Sequence, residues 1–167
     1  KDIYSHVDAV HAYQPQSDKY TGGIVEGIVN EINCSAIIAT VSRNKADINR
    51  PRNEKNSETI GEYRDAIRQI LKHLSILDEN DKLSRPYLHL AIHGMKDKYN
   101  KDIEIGTRNS ISCSGNVKDW VLDEIKKTFT SVGTDNTFPG DISKSVHRLG
   151  EIIGGQNYSG YGENFNT

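Results

Sequence analysis

Leu90-Ala91-Ile92-His93-Gly94-Met95 is an apolar run that ends abruptly in an imidazole, a glycine and a set of charged residues. With Tyr87-Leu88-His89 ahead of it and Pro86 closing the segment before, the run reads as a buried strand over residues 87–92. Ala36-Ile37-Ile38-Ala39-Thr40-Val41 is a second strand of the same kind, short, β-branched and continuously apolar, and it too empties into a polar cluster at residues 43–50. Strands apolar on both faces belong in a mostly parallel sheet covered by helices on each side. In open α/β sheets, ligands and metals bind just beyond the carboxyl ends of the strands, which is where His93 and the second cluster are placed.

The segments around these strands alternate with them. Ile24, Val25, Ile28, Val29 and Ile32 recur at helical spacing, with Ser17 or Asp18 available to cap that helix. A longer helix carries the stripe Ile60, Tyr63, Ile67, Ile70, Leu71 and Leu74, and a third is expected from an Asn116 cap with Val117, Val121, Ile125 and Phe129 buried. Further strands are expected over 7–12, interrupted by Asp8, over 102–107, where Ile103 and Ile105 share a face, and over 142–149. Residues 44–56 read as an exposed loop, and 154–167, rich in Gly, Asn and Tyr, as a mobile tail with little to pack. There is no internal repeat. The reading is a single α/β domain over 1–167, a three-layer αβα sandwich with a mostly parallel or mixed central sheet.

Composition narrows the function classes. At 167 residues and 35% hydrophobic content the chain has enough apolar material for one continuous core. A formal net charge of −2 and a pI near 6.3 give no global attraction to nucleic acid or to an anionic membrane. No apolar run approaches the roughly 20 residues of a bilayer span, and the N-terminal residues lack a signal-peptide core, so a cytoplasmic protein is expected. Cys34 and Cys113 have no metal-binding spacing and read as ordinary thiols. No feature specifies an oligomeric state.

Chemistry must come from polar residues at the strand ends. His93 follows its strand directly, and Gly94 permits close backbone approach; a capping or surface histidine is the alternative reading. His89 reads as a satisfied packing residue inside the strand. His11 and Asp18 flank a proline-containing loop. Joined by a second histidine they make three ligands with a fourth position for water, the arrangement of catalytic zinc, unless Asp18 only caps the helix after it. His6 competes with His11 for that role, while His73 and His147 fall in segments expected to be solvent-exposed.

Arg43, Asp47, Asn49 and Arg50 form the second constellation: two guanidiniums and an amide on one loop can bind a carboxylate bidentately and offer charge to a developing oxyanion. Local Arg–Asp pairing on a solvated loop is the plainer alternative. A nucleic-acid patch of Arg43, Lys45, Arg50, Arg52 and Lys55 lacks interleaved aromatics and sits in a domain that is not basic.

These residues carry a resemblance. Ser42-Arg43-Asn44-Lys45-Ala46-Asp47-Ile48-Asn49-Arg50 resembles the S-R-x-x-x-D-x-N-R segment of the N-formylglutamate amidohydrolase family, similar in fold to zinc carboxypeptidases and the phosphorylase/hydrolase-like proteins. His93-Gly94-Met95, followed by Asp102-Ile103-Glu104-Ile105-Gly106-Thr107, resembles that family's second signature, and His11-Ala12-Tyr13 with Asp18 a weakened form of its opening histidine motif. The resemblance covers the chain from about His11 onward. It implies His11, Asp18 and His93 as ligands of one zinc ion, Asn49 and Arg50 as the clamp on a substrate carboxylate, Arg43 beside the polarised carbonyl oxygen, and Asp47 as an orienting residue.

The implied activity is zinc-dependent hydrolysis of an amide in a small acidic N-acyl amino acid, γ-glutamyl or peptide-like substrate, with a carboxylate taking the proton from water. The family's base is a glutamate on a late strand, following a segment similar to Glu163-Asn164-Phe165-Asn166-Thr167. The expectation is that the chain stops short of that residue, with Glu163 or Glu104 as the substitute otherwise. A second class stays open: a non-catalytic relative that binds carboxylate ligands or partners through Arg43 and Arg50.

Overall fold

Alternation along the first strand, β1 (Ser5–Ala9), creates the layers of the molecule. Val7 and Ala9 point to one face of the sheet and His6 and Asp8 to the other, as the two-residue period of a strand requires. The computed structural model describes residues 4–50, 52–95, 97, 100–107, 110, 112–134, 161 and 164–167. Within them β1 is followed by α1 (Thr21–Ile32), β2 (Ser35–Ile38), α2 (Ser57–His73) and β3 (Tyr87–Ala91). Then come β4 (Ile103–Ile105), α3 (Gly115–Lys126), β5 (Val132–Thr134) and β6 (Phe165–Asn166). The central sheet has the order β2-β1-β3-β6 with every pairing parallel, and β4 and β5 pair in parallel as a separate ribbon.

One helix covers each face. On α1, Val25 is fully buried against Val7 and Ala9, with Ile28, Val29 and Ile38 closing the layer. On α2, Ile60, Tyr63, Ile67 and Leu71 recur at three- and four-residue spacing and bury against Val10, Tyr87 and Phe165. The architecture is therefore the three-layer αβα sandwich expected from the alternation of strands and helices. No helix among the described residues is long and apolar enough to cross a membrane. Cys34 and Cys113 are both buried and stand as thiols outside any disulfide.

Several boundaries differ from expectation, each for a local reason. β1 begins at Ser5 and ends at Ala9, which leaves His11 in the loop beyond the strand. No side chain caps α1: Tyr20 occupies the cap position at φ 68°, and the Asp18 carboxylate is turned to other partners described below. The cap of α3 is Ser114, whose hydroxyl accepts from the Val117 N–H at 3.4 Å, in place of Asn116. Leu122 is the buried residue of α3, and Phe129, expected in its stripe, is 39% exposed.

The loop after β2 is pinned rather than free. Ile48 enters the α2-side core, and the buried amide of Asn56 donates to the Asp47 carbonyl oxygen at 2.9 Å. At the other end of the chain, Phe165 and Asn166 are buried in β6 alongside β3, so these residues depart from the expected mobile tail. Phe165 stacks near Tyr161 and Tyr87, and the Asn166 amide donates to the Tyr87 carbonyl at 3.2 Å, which gives the end of the tail something to pack on. The strand expected over 142–149, His147 and Glu163 lie outside the described residues.

Candidate metal centre

Beyond the carboxyl ends of β1 and β3, two loops converge. The loop after β1 closes on itself through the Asp18 N–H, which donates to the His11 carbonyl at 2.8 Å, so both side chains are presented from one narrow turn. The loop after β2 is tied to it by the Ser42 hydroxyl, which donates to the Pro15 carbonyl at 2.7 Å. The loop after β3 arrives at Gly94, where a Cβ would stand 3.1 Å from the Asp18 Cβ. Glycine is what allows His93 to come this close, as the motif suggested.

The three expected ligands meet there. His11 Nδ1 and His93 Nδ1 each lie 3.3 Å from Asp18 Oδ2, and the two rings are 5.2 Å apart between centroids. Asp47 Oδ1 receives His11 Nε2 at 2.9 Å and also accepts from the Asn49 N–H at 2.9 Å. Arg43 spans the two carboxylates, with its guanidinium nitrogens 3.3 Å from Asp18 Oδ1 and 3.4 Å from Asp47 Oδ2. Arg50 approaches Asp47 at 3.8 Å and donates to the Asn49 carbonyl at 2.7 Å, remaining partly open to solvent. His11, Asp18, His93, Arg43, Asp47, Asn49 and Arg50 are thus brought together, whereas Glu104 lies in β4 of the separate ribbon and Glu163 lies outside the described residues. His6, the expected competitor of His11, is buried in β1 on the α2 side and takes no part, because the strand's alternation turns it the other way.

The electrostatics follow from the contacts. Burial opposes ionisation of Asp18, but hydrogen bonds from His11, His93 and the Gly94 backbone hold its carboxyl far below the usual range. Asp47 is also disfavoured by burial, yet the His11 bond, the His11 and Arg50 charges and the Asn49 N–H bring it down to about 2. His11 is pushed the other way: burial lowers its pKa, and the bonds to Asp18 and Asp47 outweigh that and raise it. Both ring nitrogens of His11 face carboxylate oxygens, an arrangement that favours the doubly protonated ring when no cation is bound.

A metal ion would satisfy this arrangement. Zinc bonds of about 2.0–2.1 Å in a tetrahedron place neighbouring ligand atoms about 3.3–3.4 Å apart, which is the spacing of both imidazole nitrogens from Asp18 Oδ2. Two imidazoles and a carboxylate are a donor set for a borderline transition ion, and a carboxylate on the far nitrogen of a ligand histidine is the usual support for one. His93 Nε2 and Asn49 Oδ1 are buried with no hydrogen-bond partner among the described residues, so the site retains polar capacity for a further group. The His11, Asp18 and His93 group could therefore hold a metal ion. No family model, curated protein or solved structure matches the chain.

The low Asp47 pKa has a measurable consequence in the metal-free protein. A folded pKa of about 2 lies below the unfolded value near 3.9, so the stabilisation is complete above about pH 5 and is lost as pH falls towards 2. Asp47→Asn is expected to lower stability by about 2 kcal/mol at neutral pH, with the gap closing between about pH 4 and 2. Urea titrations of both proteins across that range test it; a pH-independent gap would remove the His11–Asp47 pair from the account.

Proposed function

We propose that the chain is a zinc-dependent amidohydrolase that cleaves the amide of a small acidic N-acyl amino acid or peptide-like substrate, in the manner of the N-formylglutamate amidohydrolase family it resembles. The observation that carries this reading is the meeting of His11 Nδ1 and His93 Nδ1 at one oxygen of Asp18, with Asp47 behind His11. When bound, the ion supplies Lewis-acid polarisation of the substrate carbonyl and a lowered pKa for water. The chain's own residues do the rest.

Asp47 fixes the orientation of His11, and Arg43 neutralises Asp18 and Asp47 while keeping further N–H donors of its guanidinium for the carbonyl oxygen as charge develops there. Asn49 and Arg50 take the substrate carboxylate, Arg50 through the planar fork that matches two oxygens. A carboxylate takes the proton of the attacking water and returns it to the leaving nitrogen, a role for Glu163 or Glu104 where no later glutamate supplies it. A cytoplasmic setting belongs to the same proposal and agrees with two cysteines held as thiols and not joined in a disulfide.

The test is metal content with activity. Purified without chelator, the chain is expected to hold zinc in proportion to protein, and to hydrolyse N-formylglutamate or a γ-glutamyl peptide in a reaction stopped by chelation and restored by zinc. Absence of both would leave the second reading, a carboxylate-binding protein, which the engagement of Arg43 by two carboxylates favours. Arg50→Ala is expected to raise KM for an acidic substrate about tenfold to a hundredfold with little change in kcat, because a charge-assisted contact is worth about 1.5–3 kcal/mol. An unchanged KM in steady-state kinetics would count against carboxylate recognition by this loop.

A further inference from the structure

We infer that the interior of the sandwich holds a second metal site, formed by His6, Asp8 and His89 and distinct from the centre at the strand ends. His6 and His89 are register partners on β1 and β3, and Asp8 follows His6 by two residues, so the three side chains emerge together on the α2 face of the sheet. All three are fully buried, and one ligand atom of each lies within 4.8 Å of the others. The His6 and His89 rings stack at 4.2 Å with 7° between their planes, and an ion shared by both turns them out of parallel, because each Nε2 lone pair lies in the plane of its own ring.

The hydrogen bonds sort the atoms into supports and ligands. His6 Nδ1 meets the Tyr87 hydroxyl at 2.9 Å, and His89 Nδ1 meets the Thr167 hydroxyl at 3.3 Å, so each ring has its far nitrogen held by an oxygen, as ligand histidines do. That leaves His6 Nε2 and His89 Nε2 as the donors. His89 Nε2 lies 2.6 Å from Asp8 Oδ2, which the Tyr63 hydroxyl also reaches. Among the described residues His6 Nε2 and Asp8 Oδ1 have no hydrogen-bond partner, although both are enclosed. An interior seldom leaves two polar atoms of one cluster unpaired, and an ion pair between Asp8 and His89 alone satisfies neither. A divalent transition ion held by His6 Nε2, His89 Nε2 and both oxygens of Asp8 satisfies both.

The donor set of two imidazole nitrogens and one carboxylate selects zinc, cobalt or ferrous iron over magnesium and calcium. Loading replaces the proton shared by His89 Nε2 and Asp8 Oδ2: the nitrogen lone pair binds the cation, the proton leaves to solvent, and the pair opens from 2.6 Å towards the about 3.3 Å ligand spacing of a tetrahedral ion. With no exposed ligand the site takes no substrate. It ties β1 and β3 to Tyr63 of α2, and the ion enters as the chain folds and resists chelation afterwards.

The experiment removes the first centre so that its fate does not enter. His11→Ala/His93→Ala protein, expressed in zinc-supplemented medium and dialysed against EDTA while folded, is expected to retain one zinc per chain by plasma emission. Adding Asp8→Asn is expected to abolish that zinc; if this variant does not fold, His6→Phe, which keeps a ring against His89, serves in its place. The double variant holding no zinc, or a folded Asp8→Asn or His6→Phe variant holding as much as its parent, overturns the site. Circular dichroism establishes folding in each case.

Discussion

His93→Ala is expected to empty the centre at the strand ends and to lower kcat/KM by on the order of a thousandfold or more, since several kcal/mol of carbonyl polarisation depend on a bound ion and each 1.36 kcal/mol is tenfold. The loss follows from how the site is built. His11 and Asp18 come from a single turn, and His93 is the one ligand supplied from β3. Without it, two groups on one loop remain, too few for a stable three-ligand centre. The fold should survive: His93 lies past the end of β3, part-exposed and outside both core clusters, so metal-free stability should change by less than about 1 kcal/mol. Zinc stoichiometry, kinetics and denaturation on the same preparation separate these effects. A variant that keeps zinc at this centre, or keeps its activity, would falsify the ligand assignment; one that fails to fold would show His93 to be structural.

Much of this centre was legible in the sequence because its parts are local. His93 ends a strand, Gly94 follows it, and Asp47, Asn49 and Arg50 sit within one short loop, so proximity in the chain already implied proximity in space. Asp18 was ambiguous between cap and ligand because an aspartate before a helix suits either role. In the fold no side chain caps that helix, and the Asp18 carboxylate turns to His93 and Arg43, from 75 and 25 residues away. The α1 and α2 stripes were legible for the same reason as the strands, since their periodicity is a property of adjacent residues. The tail was not: Phe165 and Asn166 gain their burial from pairing with Tyr87 and Leu88, and nothing in Gly- and Asn-rich sequence announces that partner.

The His6, Asp8 and His89 group was missed although one signal was present. A histidine and an aspartate two residues apart in a strand share a face, and a lone polar face inside an otherwise apolar sheet calls for a partner. What the sequence could not supply was the register that sets His6 beside His89 across 83 positions. In the sequence alone, a charged Asp8 within an apolar stretch reads as an interruption of the first strand. In the fold it lies on the buried α2 face, with the Tyr63 hydroxyl as one of its partners.

Ile67→Ala is expected to cost about 3–4 kcal/mol and to lower Tm by about 10 °C, the largest stability effect among single changes on α2. Ile67 is fully buried at the centre of the stripe that seals this face of the sheet, with Tyr63 one turn before it and Leu71 one turn after. Removing three carbons there leaves a cavity between a helix and a sheet that cannot both move inward, because α2 is anchored at its start by Asn56 and at its end by the turn to Ile76. Zinc affinity at His11, Asp18 and His93 should be unchanged, since those side chains are held by bonds among loops beyond the strand ends and α2 contributes none of the bonds assigned to them. The interior group is the more exposed to this change, because Tyr63 lies one turn from the cavity and its hydroxyl reaches Asp8. Denaturant unfolding with an unchanged m value, alongside zinc titration of the folded variant, tests both halves. A shift of less than about 1 kcal/mol would mean that α2 does not seal the sheet as described.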